Sequence, residues 1–355
     1  MKKARIVIGA NYGDEGKGTV VAHYAMHADG SVLNILTNGG AQRGHSILTE
    51  HGSITFQHFG SGTYHGADNY YSCFFILNPM QFVQEYETLI VKPKHIYRDS
   101  RCRWTTPYDS LANLITEQQR GRHASCCMGI WNTIQRTNSI SSVSFDDFLK
   151  MEEPTLFLNS VKRYYEKRIT VPDSWKVVWN SPVLQAHFIN DCRFMAAHTQ
   201  VATLAALHHD NLIFENGQGL LLCDTGQDSY DTTPSNTGIL YSLALLKDMP
   251  DIDTTAHYVT RPYLTRHGDG DIDHASRRAS IAQSIKEDRT NHYNEFQGEF
   301  RYGHLDIPAL QQRILADHRD VKFELELTHC DEMDRVAAFK QIFPTVNVYD
   351  SALIK

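Results

Sequence analysis

The sequence predicts an α/β protein, a single large domain with a central, mostly parallel sheet and long active-site loops. Three observations predict it. The N-terminus runs buried strand, glycine loop, helix, strand. The strand-then-glycine pattern recurs at 211–219. No repeat, low-complexity tract or linker divides residues 1–355.

Taken in order, residues 5–10 are a short apolar strand, and a glycine-rich loop leads into a helix over about 17–27. Residues 31–36 are apolar and run into a second glycine loop, Asn38-Gly39-Gly40. Helical spacing marks 80–90 and 107–120, and 186–209 is the longest helical candidate, with His208-His209-Asp210 as its polar end. Residues 211–215 form a second buried strand before the turn Asn216-Gly217-Gln218-Gly219; 257–260 and 323–327 are further short strands. Polar loops are expected at 137–145, 224–237, 266–275 and 286–304. In such sheets the active-site loops follow the carboxyl ends of the strands.

A net charge of −7 with no basic block argues against a nucleic-acid partner. No stretch is apolar over the ~18 residues a membrane span needs. Seven scattered cysteines with no C-x-x-C pair fit a reducing, cytoplasmic compartment without disulfides or a zinc site.

Four segments can carry chemistry. In Gly13-Asp14-Glu15-Gly16-Lys17-Gly18-Thr19, glycines admit backbone N–H groups to an anion, a helix start adds partial positive charge and Lys17 a full one. It misses the P-loop pattern, with Asn11 where a glycine belongs and Gly18 where Ser or Thr should follow the lysine. Two carboxylates inside such a loop need a metal or a catalytic role; a plain glycine turn is the bland alternative. His45, in the loop that starts at Asn38, is a candidate general acid near neutral pH, although a lone loop histidine is more often just surface. The turn at 216–219 and the hydroxyl-rich Thr232-Thr233-Pro234-Ser235-Asn236-Thr237 suit a nucleotide, or are ordinary turns. Asp331, after the strand 323–327, can accept from both N1–H and the 2-amino group of guanine, or can cap the strand end.

In order, these segments resemble adenylosuccinate synthetase. That family shows G-D-E-G-K-G, G-G-x-N-x-G-H, F-E-G-A-Q-G with a downstream V-T-S-S-N-T, T-R-V-G-x-G and T-K-x-D. Here stand 13–18, Gly39-Gly40-Ala41-Gln42-Arg43-Gly44-His45, Phe214-Glu215-Asn216-Gly217-Gln218-Gly219 with 232–237, Thr265-Arg266-His267-Gly268-Asp269-Gly270 and Thr328-His329-Cys330-Asp331. The resemblance covers roughly 5–335, at a length closer to the compact archaeal and phage forms.

The resemblance implies a two-step ligase. Asp14 acts as base on N1 of a 6-oxopurine nucleoside monophosphate. O6 attacks the γ-phosphate of GTP (ATP being the other donor) with Lys17 and His45 assisting, and L-aspartate displaces the 6-phosphoryl group. It implies Mg2+ on Asp14 and the Gly44 carbonyl. Nucleotide contacts fall to Gly13, Glu15, Gly16, Gly18, Thr19, Gln42, Ser125, Gln218, Thr233 and Asp331, and aspartate contacts to Arg301 and Gln297. It also implies a homodimer in which an arginine, with Arg136 the candidate, is lent across the interface. The family's phosphate loop G-T-T-G-R-G is reduced to 124–129, without its arginine. Its arginine-rich aspartate loop becomes 294–304, with Arg301 alone in register. Asp14 favours IMP. Divergence at the phosphate and ribose loops and the compact length favour the phage branch, which uses dGMP. A non-catalytic nucleotide sensor would have no use for Asp14 and His45 together. A GTPase switch would need the missing Ser or Thr after Lys17.

Overall fold

In a computed structural model of the chain, the described residues are 2–50, 52–121, 125–140, 143–223, 232–249, 251–268, 270–288, 291, 293, 296 and 298–350. Nine parallel strands form the central sheet, in the order Val346–Val348, Phe323–Leu327, Asp253–Thr260, Lys3–Gly9, Asn211–Gly219, Val32–Leu36, Asp68–Tyr71, Ile96–Arg98 and Gln200–Val201. The first strand pairs with Asn211–Gly219 on one side and Asp253–Thr260 on the other. The glycine loops at 10–16 and 217–219 therefore emerge side by side at one end of the sheet.

Alternation along these strands builds two cores. Ile6, Ile8, Phe214, Tyr258 and Leu325 face Leu310, Ile314 and Phe339. On the other face Val7, Ile213 and Val259 pack against Val20, Val21 and Ala25 of the helix Lys17–Met26. A third, aromatic core of Trp104, Phe148, Phe157 and Phe188 holds the helices at 107–198 against the far strands.

The helix Pro107–Arg120 starts as its sequence dictates. Pro107 occupies the first turn, and Thr106 and Asp109 form a reciprocal capping box. The expected helix over 186–209 is instead Pro182–His198. Thr199 is extended and Gln200–Val201 joins the sheet edge beside Ile96–Arg98. His209 is accordingly not a helix end but a buried residue whose Nε2 lies 3.0 Å from Asp68 Oδ2. The expected loops at 266–275 and 286–304 contain a small antiparallel sheet, Leu264–Arg266, Arg301–Gly303 and Ala275–Ser276. The expected loop at 224–237 is described only from 232 onward.

Candidate active site

The loop after the first strand is held from inside. Gly16 caps the helix with φ 93°, a left-handed value that disfavours any side chain. A Cβ on Gly18 would stand 2.7 Å from the Ser46 carbonyl oxygen, so this glycine lets the helix start lie directly against the histidine loop. Glu15 is not turned toward a ligand. Its Oε1 accepts from the N–H groups of Asn11 at 3.0 Å and Gly13 at 2.8 Å, and Thr328 donates to its carbonyl. Lys17 Nζ lies 2.6 Å from the Gly13 carbonyl and 3.5 Å from Glu15 Oε2. Glu15, expected to contact nucleotide, has its side chain buried as a staple of the loop, bonded to the Asn11 and Gly13 amides and beside Lys17.

Asp14 remains half-buried on the wall of a cleft, with its carbonyl held by Arg261 Nε at 2.7 Å. Gly13, Gly16, Lys17, Gly18, Thr19, Gly44 and His45 line the same cleft, with Arg261, Lys286, Asp288, His329 and Glu332 opposite. Asp331 is exposed at the turn and is not among the lining residues, though both neighbours of the Cys330-Asp331 pair are.

His45 opens the hairpin His45–Thr49/Gly52–Phe56, and its imidazole turns inward. Its Nδ1 lies 2.5 Å from Oε1 of the fully buried Glu215, which also receives Ser61 Oγ at 2.7 Å and lies 3.2 Å from Arg43. Burial works against the Glu215 charge, but Arg43, His45 and Ser61 outweigh it and hold the carboxyl well below the usual range. With Glu215 ionised and able only to accept, Nδ1 must carry the proton, which leaves Nε2 for the cleft. Burial, then the nearby Arg43 charge, push His45 down to about 4 against the pull of Glu215. The ring is neutral at pH 7 until an anion beside it restores its proton affinity.

A second cavity of about 440 Å³ backs onto this cleft. Gln42, Ser125, Gln218 and Thr233 come together on its wall. Gln218 is the partition. It lines the cavity, while a Cβ on Gly13 would meet its backbone at 3.2 Å, and it adopts φ 66°, a costly value for a non-glycine residue. Asn38 fixes that turn, accepting from Gly217 N at 2.8 Å and donating to Ser235 Oγ at 3.1 Å. Ser125 Oγ is engaged by Asn113 Oδ1 at 3.1 Å and Cys127 N at 3.2 Å. Arg120, Arg168 and Arg266 bring positive charge to the wall, and Trp131 and Tyr164 bring rings.

Two expected residues stand elsewhere. Arg301 donates to the carbonyls of Gly268 and Gly270, so it buttresses a wall of the cavity rather than lining it. Arg136 is buried against Asp109 at 2.8 Å and the Trp104 carbonyl at 3.0 Å, so it cannot be lent to a partner subunit. Gln297 lies outside the described residues. The roles of Glu215, Arg43, Asn38 and Arg261 were not anticipated. A glutamate ending an apolar strand was the one available signal, since a charge there needs a partner.

The sequence profile described as adenylosuccinate synthetase matches residues 6–342. The chain belongs to the adenylosuccinate synthetase family. Similar family members include the adenylosuccinate synthetase of Buchnera aphidicola subsp. Baizongia pistaciae, 27% identical over 75% of this chain and 63% of that protein. That of Acaryochloris marina is 24% identical over 75% and 61%. The chain thus matches less than two thirds of the length of these relatives. Among solved structures, a fully ligated adenylosuccinate synthetase from Plasmodium falciparum superposes with TM-score 0.66 at 19% identity, covering 94% of this chain and 78% of that one. A cyanophage S-2L succinoaminodeoxyadenylate synthetase, solved with dGMP and with dATP as energy donor, gives 0.62 at 13% identity, covering 99% and 91%. At these identities the two structures speak for the fold.

Proposed function

We propose that the chain joins L-aspartate to C6 of a 6-oxopurine nucleoside monophosphate through a 6-phosphoryl intermediate, with IMP as the nucleotide and GTP as the donor. The observation that carries this reading is the meeting of Asp14 and His45 on one cleft wall, beside Lys17 and the start of a helix, with a nucleotide-sized cavity behind. Asp14 takes the proton from N1, which concentrates negative charge on O6. O6 then forms a bond to the γ-phosphorus as the bond to the β–γ bridging oxygen breaks. Lys17 and the helix-start amides stabilise the charge on the transferring group. His45 Nε2, backed by Glu215, gains proton affinity as that charge arrives, takes up a proton from solvent and donates a hydrogen bond to the transferring group. The aspartate amine attacks C6, and the phosphorylated oxygen leaves as phosphate.

The Asp14 carboxylate and the Gly44 carbonyl both line the cleft and are hard oxygen donors, a set that fits Mg2+. When bound there, the ion would neutralise phosphate charge. Asp331 is the carboxylate proposed to read guanine. Glycines 13, 16 and 18 with Thr19 take the donor phosphates, and Gln42, Ser125, Gln218 and Thr233 take the monophosphate nucleotide. A homodimer is carried as part of the proposal, without Arg136 as the lent residue. Among the described residues no helix is long and apolar enough to cross a membrane.

The test is incubation of the purified protein with aspartate, Mg2+ and GTP or ATP against IMP, dIMP, GMP and dGMP, read by mass spectrometry. A succinylated product from IMP with GTP is expected. Product from dGMP alone would transfer the assignment to the phage-type reaction. No succinylated product from any nucleotide would overturn the ligase reading.

A further inference from the structure

The helix Lys17–Met26 covers only the middle of its face of the sheet. Beyond it, three neighbouring strands present polar side chains. His257 pairs with Glu324 across one strand boundary, and Glu326 with Asn347 across the next. Residues two apart on a strand share a face, so Glu324 and Glu326 converge with His257. One ligand atom from each lies within 4.8 Å of the other two. A cavity of about 670 Å³ opens beside them, lined by His257, Glu324, Asn347, Tyr24 and Tyr349, and it shares no residue with the catalytic cleft or the cavity behind it.

Two carboxylates this close repel unless a cation or a proton intervenes. Lys322 Nζ reaches Glu324 at 3.2 Å but is largely exposed. His257 is the imidazole beside both carboxylates. Its Nδ1 lies 2.7 Å from Glu326 Oε1 and 3.0 Å from the Tyr24 hydroxyl, and Asn347 Nδ2 reaches both carboxylates at 3.0 Å. The other ring nitrogen, Nε2, has no hydrogen-bond partner among the described residues although His257 is only 4% exposed. Glu326, of 0% exposure, accepts from the Tyr24 hydroxyl on Oε1 at 2.9 Å and is also bonded by the Tyr349 hydroxyl. The local bonds thus leave a buried imidazole nitrogen unsatisfied beside two carboxylates.

We propose that His257, Glu324 and Glu326 bind one transition-metal dication, for which the imidazole and two carboxylates are a chemical match to Zn2+. The ion joins the strands Asp253–Thr260 and Phe323–Leu327, with Asn347 orienting the carboxylates. It is separate from the Mg2+ set at Asp14 and does not depend on the proposed reaction.

The test uses tag-free, EDTA-treated Asp14→Asn protein, so that the catalytic oxygen set contributes nothing. Titration with ZnCl2 should give one equivalent bound and a rise in Tm. Adding Glu324→Gln, a half-buried and nearly isosteric change, should weaken binding about 10–100-fold and abolish the Tm rise. CoCl2 should give a visible spectrum without a thiolate charge-transfer band, because the protein's seven cysteines are not ligands. No retained zinc, affinity unchanged by Glu324→Gln, or a thiolate band would each overturn the site.

Discussion

The catalytic cleft and the cavity behind it share one partition, Gln218, yet they are made in different ways. One part of the cleft is built from two contiguous loops, 13–19 and 44–46, whose glycines let backbones touch and whose Glu15 and Lys17 charges are fixed by partners four residues away or less, while Arg261, Lys286, Asp288, His329 and Glu332 supply the rest of its lining. The cavity is assembled from side chains spread from Gln42 to Gly270. Its charged wall comes from helix-end residues such as Arg120 and Arg168. Contiguous backbone geometry tolerates little change, whereas a wall of dispersed side chains can be rebuilt. The loop 124–129 accordingly lacks the arginine of the family's G-T-T-G-R-G, whereas the loop 13–18 keeps the family's G-D-E-G-K-G unchanged.

This contrast predicts a ranking of effects. Asp14→Asn and His45→Asn should each lower kcat by about 10²–10⁴-fold, with smaller changes in the KM for IMP, as steady-state assays would read. Turnover within threefold of wild type for either would break the cleft account. Glu215→Gln keeps a partner for Nδ1, so its kcat loss should be on the order of tenfold to a hundredfold. Removing this carboxylate takes away the interaction that raises His45, so the histidine limb of the pH–kcat profile should move to lower pH. A loss of turnover with an unmoved limb would make Glu215 merely structural. The substitution also leaves Arg43 buried without its ion pair. A loss of about 3–5 kcal/mol in chemical denaturation is expected for that and for Arg136→Ala alike.

Substitutions in the cavity should act on binding. Gln218→Ala or Thr233→Ala should raise the KM for the nucleotide by roughly tenfold at most, the worth of about 0.5–1.5 kcal/mol per hydrogen bond, with kcat nearly kept. Arg168→Ala, at an exposed position, should do less. A cavity variant that reduces kcat as strongly as Asp14→Asn would erase the distinction between the two regions.

Proton linkage gives a smaller effect. The His45 pKa in the folded chain lies below its ordinary 6.5, at about 4. Between those values the unfolded chain binds a proton that the folded chain refuses, so His45 lowers stability as pH falls through this window. Glu215 is displaced below its ordinary value, so its contribution is present above that value and fades only at lower pH. The fall in Tm from pH 6.5 to 4 should therefore be shallower in His45→Asn than in wild type; identical slopes would refute the neutral assignment.

The parallel sheet and the glycine loops after its strands were legible because each depends on a short run of sequence. The edge strand Gln200–Val201 was not, since helical spacing continues past His198 and only sheet pairing ends the helix. Arg136 and Arg301 looked like ligands because arginine spacing says nothing of partners at distance, here Asp109 and the carbonyls of 268 and 270. Glu15 reads as a liability in one dimension and is a staple in three.

In the proposed reaction the cleft transfers a phosphoryl group to O6, and the aspartate amine then displaces it. This route is tested most directly with IMP carrying a heavy oxygen isotope at O6, turned over with aspartate, GTP and Mg2+, with the released phosphate analysed by mass spectrometry. The heavy atom should appear in phosphate, one per succinylated product formed. Succinylated product with the heavy oxygen released to water instead would contradict the phosphoryl intermediate and the roles given to Asp14 and His45.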